Sequence, residues 1–133
     1  SMGGYYTLLT AGVDPRAAFG ISELGAGHLG NTPSRLGQFA LTPAEKALWL
    51  RAFDPMSYAE NTQAAIFMNL SANDYFFWLG DAVANFDALA GPKRLCISAN
   101  FNHNDGAFGR EKRMAKGWID YVVGRNAHYP ELG

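Results

Sequence analysis

The chain has 133 residues, which is enough for one domain and too few for two of ordinary size. Apolar residues make up 48% of the sequence and the formal net charge is −1, so we expect a packed core and neither a nucleic acid nor a membrane as partner. The single cysteine, Cys96, excludes an internal disulfide, and no apolar run approaches the roughly 18 residues of a transmembrane helix.

The first third of the chain predicts a helix, a strand and an irregular segment. Residues 5–11 are apolar and predict a helix that ends at Gly12. Residues 17–22 form an apolar run of strand length. The glycine-rich stretch that follows shows little periodicity, and we assign an irregular insert to residues 23–53. Within it, Thr42 and Pro43 predict the start of a helix that runs to about residue 51.

The rest of the chain repeats the alternation of strand and helix. Residues 65–71 predict a strand, residues 75–90 a helix and residues 94–99 a further strand, while Gly91-Pro92 marks the end of the helix. A polar loop covers residues 100–109, and an amphipathic helix from 111 to 123 follows.

Strands that alternate with helices favour an α/β fold with a short, mainly parallel sheet between helical layers. We therefore expect one α/β domain over residues 1–133. Function in such sheets lies at the carboxyl ends of the strands, so the loops after the second and third predicted strands are the places to look for a site.

One acid and one histidine follow these two strands. Asp74 comes after the strand at 65–71, and His103 comes after the strand at 94–99. This order resembles the end of the α/β-hydrolase fold, whose catalytic serine, acid and histidine occur in that order along the chain. The resemblance implies that Asp74 orients the imidazole and that His103 is the general base. The alternatives are an acid that caps the helix from Tyr75 and a surface histidine.

The first residues fit the same resemblance. Ser1-Met2-Gly3-Gly4 resembles the Gly-x-Ser-x-Gly nucleophile elbow without its first two residues, which implies Ser1 as nucleophile and the Met2 N–H as an oxyanion donor. Ser1-Met2 could instead remain from tag cleavage. A further alternative is an N-terminal-nucleophile hydrolase, in which the amine of Ser1 is the base.

Longer motifs bring the chain nearest to the prolyl-oligopeptidase-like and acetyl-xylan-esterase-like branches. They are FDP (residues 53–55) with Tyr58 after it, NLSANDYFF (69–77), LAGPKRL (89–95) and NFNH (100–103). The resemblance implies a serine esterase that acts on a small-molecule ester and requires no cofactor. The first half of that fold has no counterpart here, so we expect either a partner that supplies it or a homo-oligomer. The alternative is a non-catalytic, truncated hydrolase-like module.

Three other residues are candidates for a substrate pocket: His28, Tyr75 and Phe76. For the aromatic run at 75–78, core packing of at least two side chains is the simpler interpretation. His28, His103 and His128 are too scattered to predict a metal site.

Overall fold

The computed structural model describes residues 1–31, 40–103 and 108–124. Within them lie three strands, β1 (Phe19–Glu23), β2 (Ala65–Ser71) and β3 (Lys93–Ser98). The α-helices are α1 (Met2–Val13), α2 (Pro43–Phe53), α3 (Leu79–Ala88) and α4 (Phe108–Val122), and a 3₁₀ helix spans Pro55–Asn61. None of the described helices combines the length and the apolar character needed to cross a bilayer.

The strands form one parallel sheet in the order β1-β2-β3. All seven residues of β2 are buried. A central parallel strand is covered on both faces, and this explains why the sequence of β2 is an apolar run rather than an alternation of apolar and polar residues.

The two faces of β2 enter different cores because successive side chains point to opposite sides of a strand. Ile66, Met68 and Leu70 pack in the larger core, which also contains residues of α1, the 3₁₀ helix and α3. Ala65 and Phe67 pack in a smaller core with Cys96 and with two residues of α4, Ala115 and Trp118. The structure therefore has helices on both sides of a short parallel sheet, which confirms the predicted α/β class and three-layer arrangement.

The first helix is longer than predicted. It begins at Met2 rather than residue 5, and Gly12 lies inside it instead of ending it. The reason is tertiary: a Cβ atom on Gly12 would lie 2.6 Å from the Cβ of Tyr58, so glycine permits α1 to approach the 3₁₀ helix closely. The prediction of Gly12 as a C-cap was wrong.

Part of the predicted insert at 23–53 lies outside the described residues, namely positions 32–39. In the described part, Asp54 holds the start of the insert against the 3₁₀ helix. Its carboxylate accepts hydrogen bonds from the N–H groups of His28 (3.0 Å), Leu29 (2.8 Å) and Met56 (2.9 Å). Helix α2 begins after Thr42 as predicted and ends at Phe53, two residues later than predicted.

Candidate active site

Two loops meet at the carboxyl edge of the sheet. The loop after β2 and the loop after β3 are joined by main-chain hydrogen bonds from Ala72 N to Ser98 O (3.0 Å) and from Asn73 N to Phe101 O (2.9 Å). Asn100 lies between the ends of these bonds in the left-handed region, with φ of 61°, which asparagine tolerates better than most residues. The two loops therefore hold each other in register directly before Asp74 and His103.

Asp74 and His103 are in direct contact. The Nδ1 atom of His103 lies 2.8 Å from Oδ2 of Asp74, and the side chains are 10% and 3% exposed. A carboxylate on Nδ1 favours the tautomer in which Nδ1 carries the proton and Nε2 is free to accept one. The structure thus brings together the acid and the histidine that the sequence singled out.

The second oxygen of Asp74 has a different role. Oδ1 accepts hydrogen bonds from the N–H groups of Phe76 (2.7 Å) and Phe77 (3.0 Å). These bonds hold residues 75–77 in a turn, and α3 begins only at Leu79. The predicted helix start at residue 75 was wrong, because the carboxylate satisfies N–H groups that would otherwise belong to a first helical turn.

Three aromatic rings surround the imidazole. The ring centroids of Tyr75, Phe76 and Phe77 lie 5.8, 4.7 and 6.0 Å from that of His103. Of the run at 75–78, Phe77 packs against the larger core, whereas Tyr75, Phe76 and Trp78 are 51%, 42% and 49% exposed. Core packing of at least two of these residues was therefore the wrong interpretation.

Ser1 lies at the same edge of the sheet. It is the N-cap of α1, its main-chain nitrogen donates a hydrogen bond to the carbonyl of Glu23 at the end of β1, and its own carbonyl accepts from Tyr5 N (3.0 Å). Met2 is the first residue of α1, where N–H groups have no acceptor within the helix. Both residues are exposed.

The close approach of α1 to β1 fixes where Ser1 lies. A Cβ on Gly4 would be 2.6 Å from the carbonyl oxygen of Glu23, and one on Gly25 would be 2.7 Å from that of Ser1. Glycine at these two positions lets the start of α1 lie directly against the end of β1.

One buried polar contact near the site was not found from the sequence. Ser98 Oγ donates a 2.8 Å hydrogen bond to the Oε1 atom of Glu111, and both residues are buried. This bond connects the end of β3 to the first turn of α4, and these are the two elements between which His103 lies in the chain. An acid in the first turn of a helix is so common that the sequence held no specific signal for this contact.

The remaining candidates are not joined to this site by a described contact. His28 is partly buried with φ of 60°, and its N–H is bound by Asp54. His128 lies outside the described residues. Among the residues that the structure describes, no group of three or more histidine, cysteine, aspartate or glutamate side chains is arranged to hold a metal ion.

Comparison with known protein families shows to which family the chain belongs. The model of the PhoPQ-activated pathogenicity-related protein family matches residues 32–132, which is more than half of the chain. The chain belongs to this family. The matched region contains Asp74 and His103 and does not include Ser1. No curated protein matches the chain.

Solved structures similar to this family member are α/β-hydrolases. An acetyl xylan esterase from Paenibacillus sp. R4 has a TM-score of 0.68 at 22% identity over 93% of this chain and 43% of its own. Puromycin hydrolase gives 0.79 at 18% identity over 98% of this chain and 22% of its own. The acylaminoacyl peptidase of Pyrococcus horikoshii gives 0.64 at 19% identity over 100% and 24%.

At sequence identities of 18–22%, the structural similarity establishes the fold alone. The PhoPQ-related chain has part of an α/β-hydrolase fold, as the resemblance implied. It spans less than half the length of each of these three structures.

Proposed function

We propose that this chain carries the acid, the base and the nucleophile of a serine hydrolase that acts on carboxylic esters. The observation that carries the proposal is the 2.8 Å contact between two nearly buried side chains, Asp74 and His103, at the carboxyl edge of a parallel sheet. A buried carboxylate on one nitrogen of an imidazole leaves the other nitrogen as a proton acceptor, which general-base catalysis requires. Similar structures include an acetyl xylan esterase and two hydrolases, which supports hydrolysis as the reaction class.

In the proposed reaction, Ser1 Oγ attacks the ester carbonyl while His103 Nε2 accepts the hydroxyl proton. The new bond joins Oγ to the carbonyl carbon, and the oxyanion accepts a hydrogen bond from the Met2 N–H at the start of α1. The bond to the alcohol oxygen then breaks, and Nε2 returns the proton to that oxygen. Water releases the acyl group by the same steps.

Hydrolysis of p-nitrophenyl acetate tests this proposal. We expect turnover by the parent chain and a loss of at least about a thousandfold in kcat for both Ser1→Ala and His103→Ala, because the serine and the histidine act as a unit. Asp87→Asn is the control, since Asp87 is an exposed carboxylate of α3. If the two catalytic-site variants hydrolyse the ester as fast as the parent chain, the proposal is wrong.

We also propose that the chain assembles with a further β-strand along the outer edge of β1. Within the described residues, β1 pairs with β2 alone. Beside it, a groove of about 370 Å³ lies between α1 and β1, and the lining residues include Tyr6 and Phe19, which are 53% and 44% exposed. An open edge next to exposed apolar surface favours pairing with another strand. A second copy of the chain or the first half of the fold could supply that strand.

A further inference from the structure

Two exposed aromatic side chains form a surface beside the imidazole of His103. Tyr75 and Phe76, which we call the aromatic platform, have ring centroids 4.4 Å apart. The Phe76 ring packs nearly perpendicular to the imidazole, with an angle of 78° between the planes. Large apolar side chains that remain exposed at a site are typical of ligand contacts.

The platform is held in place by the same carboxylate that orients the histidine. Asp74 binds His103 through Oδ2 and binds the Phe76 N–H through Oδ1, at 2.8 and 2.7 Å. The neighbouring Phe77 anchors the segment because its side chain packs against the larger core. The positions of the platform and of the imidazole are therefore coupled, and the exposed rings are not on a loose loop.

The chemistry of acyl transfer decides which part of a substrate meets the platform. Since Asp74 occupies Nδ1 of His103, Nε2 is the atom that gives the proton to the departing alcohol. The alcohol oxygen must therefore lie within hydrogen-bond reach of Nε2 when the bond breaks. This brings the alcohol portion of the ester beside the imidazole and the two rings that pack against it.

We propose that the aromatic platform binds the alcohol portion of the ester and selects flat apolar groups, namely aryl or arylalkyl alcohols. Offset stacking and edge-to-face contacts stabilise such a group on two adjacent rings. This inference rests on the proposed serine hydrolase function and names the substrate class of that site.

The kinetic test compares benzyl acetate with ethyl acetate, which share the acyl group and have alcohols of similar acidity. The measured quantity is the ratio of kcat/KM for the benzyl ester to kcat/KM for the ethyl ester. We expect Phe76→Leu to lower this ratio about fivefold, the size of one aromatic contact. Trp78→Leu is the matched control, because Trp78 is an exposed aromatic residue of the same run (49%, against 42% for Phe76) and is not part of the aromatic platform, and it should leave the ratio unchanged.

A binding test separates this inference from the proposed function. Benzyl alcohol is titrated into the chain, and the Cε1–H resonance of His103, assigned by its loss in His103→Gln, is followed by NMR. We expect a saturable shift in the parent chain and in Trp78→Leu. The dissociation constant of benzyl alcohol should be at least fivefold larger in Phe76→Leu. If no ester is hydrolysed, the proposed function fails and this titration still decides the role of the platform. No shift in the parent chain, or an equal response in Phe76→Leu, overturns the inference whatever the kinetics give.

Discussion

At the scale of single residues, the account depends on the two oxygens of Asp74. Oδ2 contacts His103, and Oδ1 accepts from the N–H groups of Phe76 and Phe77. One buried carboxylate thus positions both the proposed base and the turn beside it. An ionised carboxylate can accept at both oxygens, whereas an amide can accept at only one.

This difference predicts the effect of Asp74→Asn. If the amide oxygen keeps the bonds to Phe76 and Phe77, its NH₂ group faces Nδ1 of His103, which must then accept rather than donate. The imidazole would carry its proton on Nε2 and could not accept the serine proton. We expect kcat for p-nitrophenyl acetate to fall by about 10⁴-fold while the fold is retained. A circular dichroism spectrum is the control for folding, and an activity within tenfold of the parent chain would contradict this role.

Asp74 and His103 could be predicted from the sequence because their positions follow from strand ends. The carboxyl ends of neighbouring parallel strands lie at one edge of a sheet, so residues just after them meet. The turn at 75–77 was not predicted, although the hydrogen bonds that hold it are local and join Asp74 to residues two and three positions later. An aspartate at this position is equally typical of a helix N-cap, so the local sequence did not distinguish the turn from a helix start. The buried contact between Ser98 and Glu111 likewise depends on how α4 packs.

At the scale of elements, the start of α1 is the critical junction. It places Ser1 against the end of β1, and the two adjacent glycines in its first turn have opposite environments. A Cβ atom on Gly4 would lie within 3 Å of three atoms of Ser22 and Glu23, whereas one on Gly3 would have nothing within 4 Å.

The different surroundings of Gly3 and Gly4 predict that alanine substitutions at the two positions have opposite effects on the stability of the fold. Gly4→Ala should destabilise the chain by about 1–3 kcal/mol, because the helix must move away from the backbone of β1. Gly3→Ala should be neutral or stabilise by up to about 1 kcal/mol, because alanine favours a helix over glycine. Urea unfolding of both variants measures the difference. Equal destabilisation by the two substitutions would show that α1 does not pack on β1 as described.

The start of α2 is controlled by a capping box between Thr42 and Glu45. The Thr42 side chain accepts from Glu45 N (3.3 Å), and a Glu45 carboxylate oxygen accepts from the Thr42 hydroxyl (2.7 Å) and N–H (2.8 Å). The side-chain and then the main-chain hydrogen bond to Thr42 lower the pKa of the Glu45 carboxyl below its ordinary value. A depressed pKa means that the contribution to stability is present above the ordinary pKa of glutamate and is lost as the pH falls through the lowered value.

An NMR titration of the side-chain carboxyl carbons tests this cap. Glu45 should titrate at a lower pH than a glutamate at ordinary pKa, and Thr42→Ala should move its pKa part of the way back, because that substitution removes the hydroxyl donor and leaves the main-chain donor. If the titration of Glu45 does not change in Thr42→Ala, the hydroxyl does not stabilise the carboxylate.

The elements were predicted well where local sequence and burial agree. The buried run at 65–71 matches β2 at both ends, and the threonine, proline and glutamate pattern placed the start of α2. Prediction failed where a distant contact decides: Gly12 stays helical because Tyr58 packs on it. Leu24 and His28 have φ of 50° and 60°. Leucine rarely adopts left-handed backbone, so nothing in the local sequence indicated it at Leu24. Histidine is among the residue types enriched in this region, so His28 gave a weak indication only.

At the scale of the whole molecule, the sheet that residues 1–31, 40–103 and 108–124 form is short, and its first strand pairs there on one side only. The groove between α1 and β1 is lined partly by exposed apolar side chains. Unpaired main-chain groups together with such a surface are stabilised by pairing with a further strand, and a charge placed at the edge opposes that pairing.

We therefore expect association that depends on β1. Light scattering at micromolar concentration should show a species larger than one chain, and Phe19→Lys should shift it toward the monomer. Leu48→Lys is the control, since Leu48 is an exposed leucine of α2 (57%) that does not line the groove. A monomer in the parent chain would contradict self-association. If a complex forms only after a polypeptide with the first half of the fold is added, that half and not a second copy of the chain pairs with β1.

The most direct test of the central claim is the reaction of Ser1 with phenylmethylsulfonyl fluoride, followed by mass spectrometry of the intact chain and its peptides. This reagent reports activation of the serine without requiring complete turnover. The account predicts one adduct on Ser1 Oγ, absent in Ser1→Ala, with a rate that falls strongly in His103→Ala and Asp74→Asn. An adduct that persists in Ser1→Ala would be on another group of the chain and would not support the account. No adduct on Ser1 Oγ, or one that forms equally fast without His103, would contradict the proposed serine hydrolase.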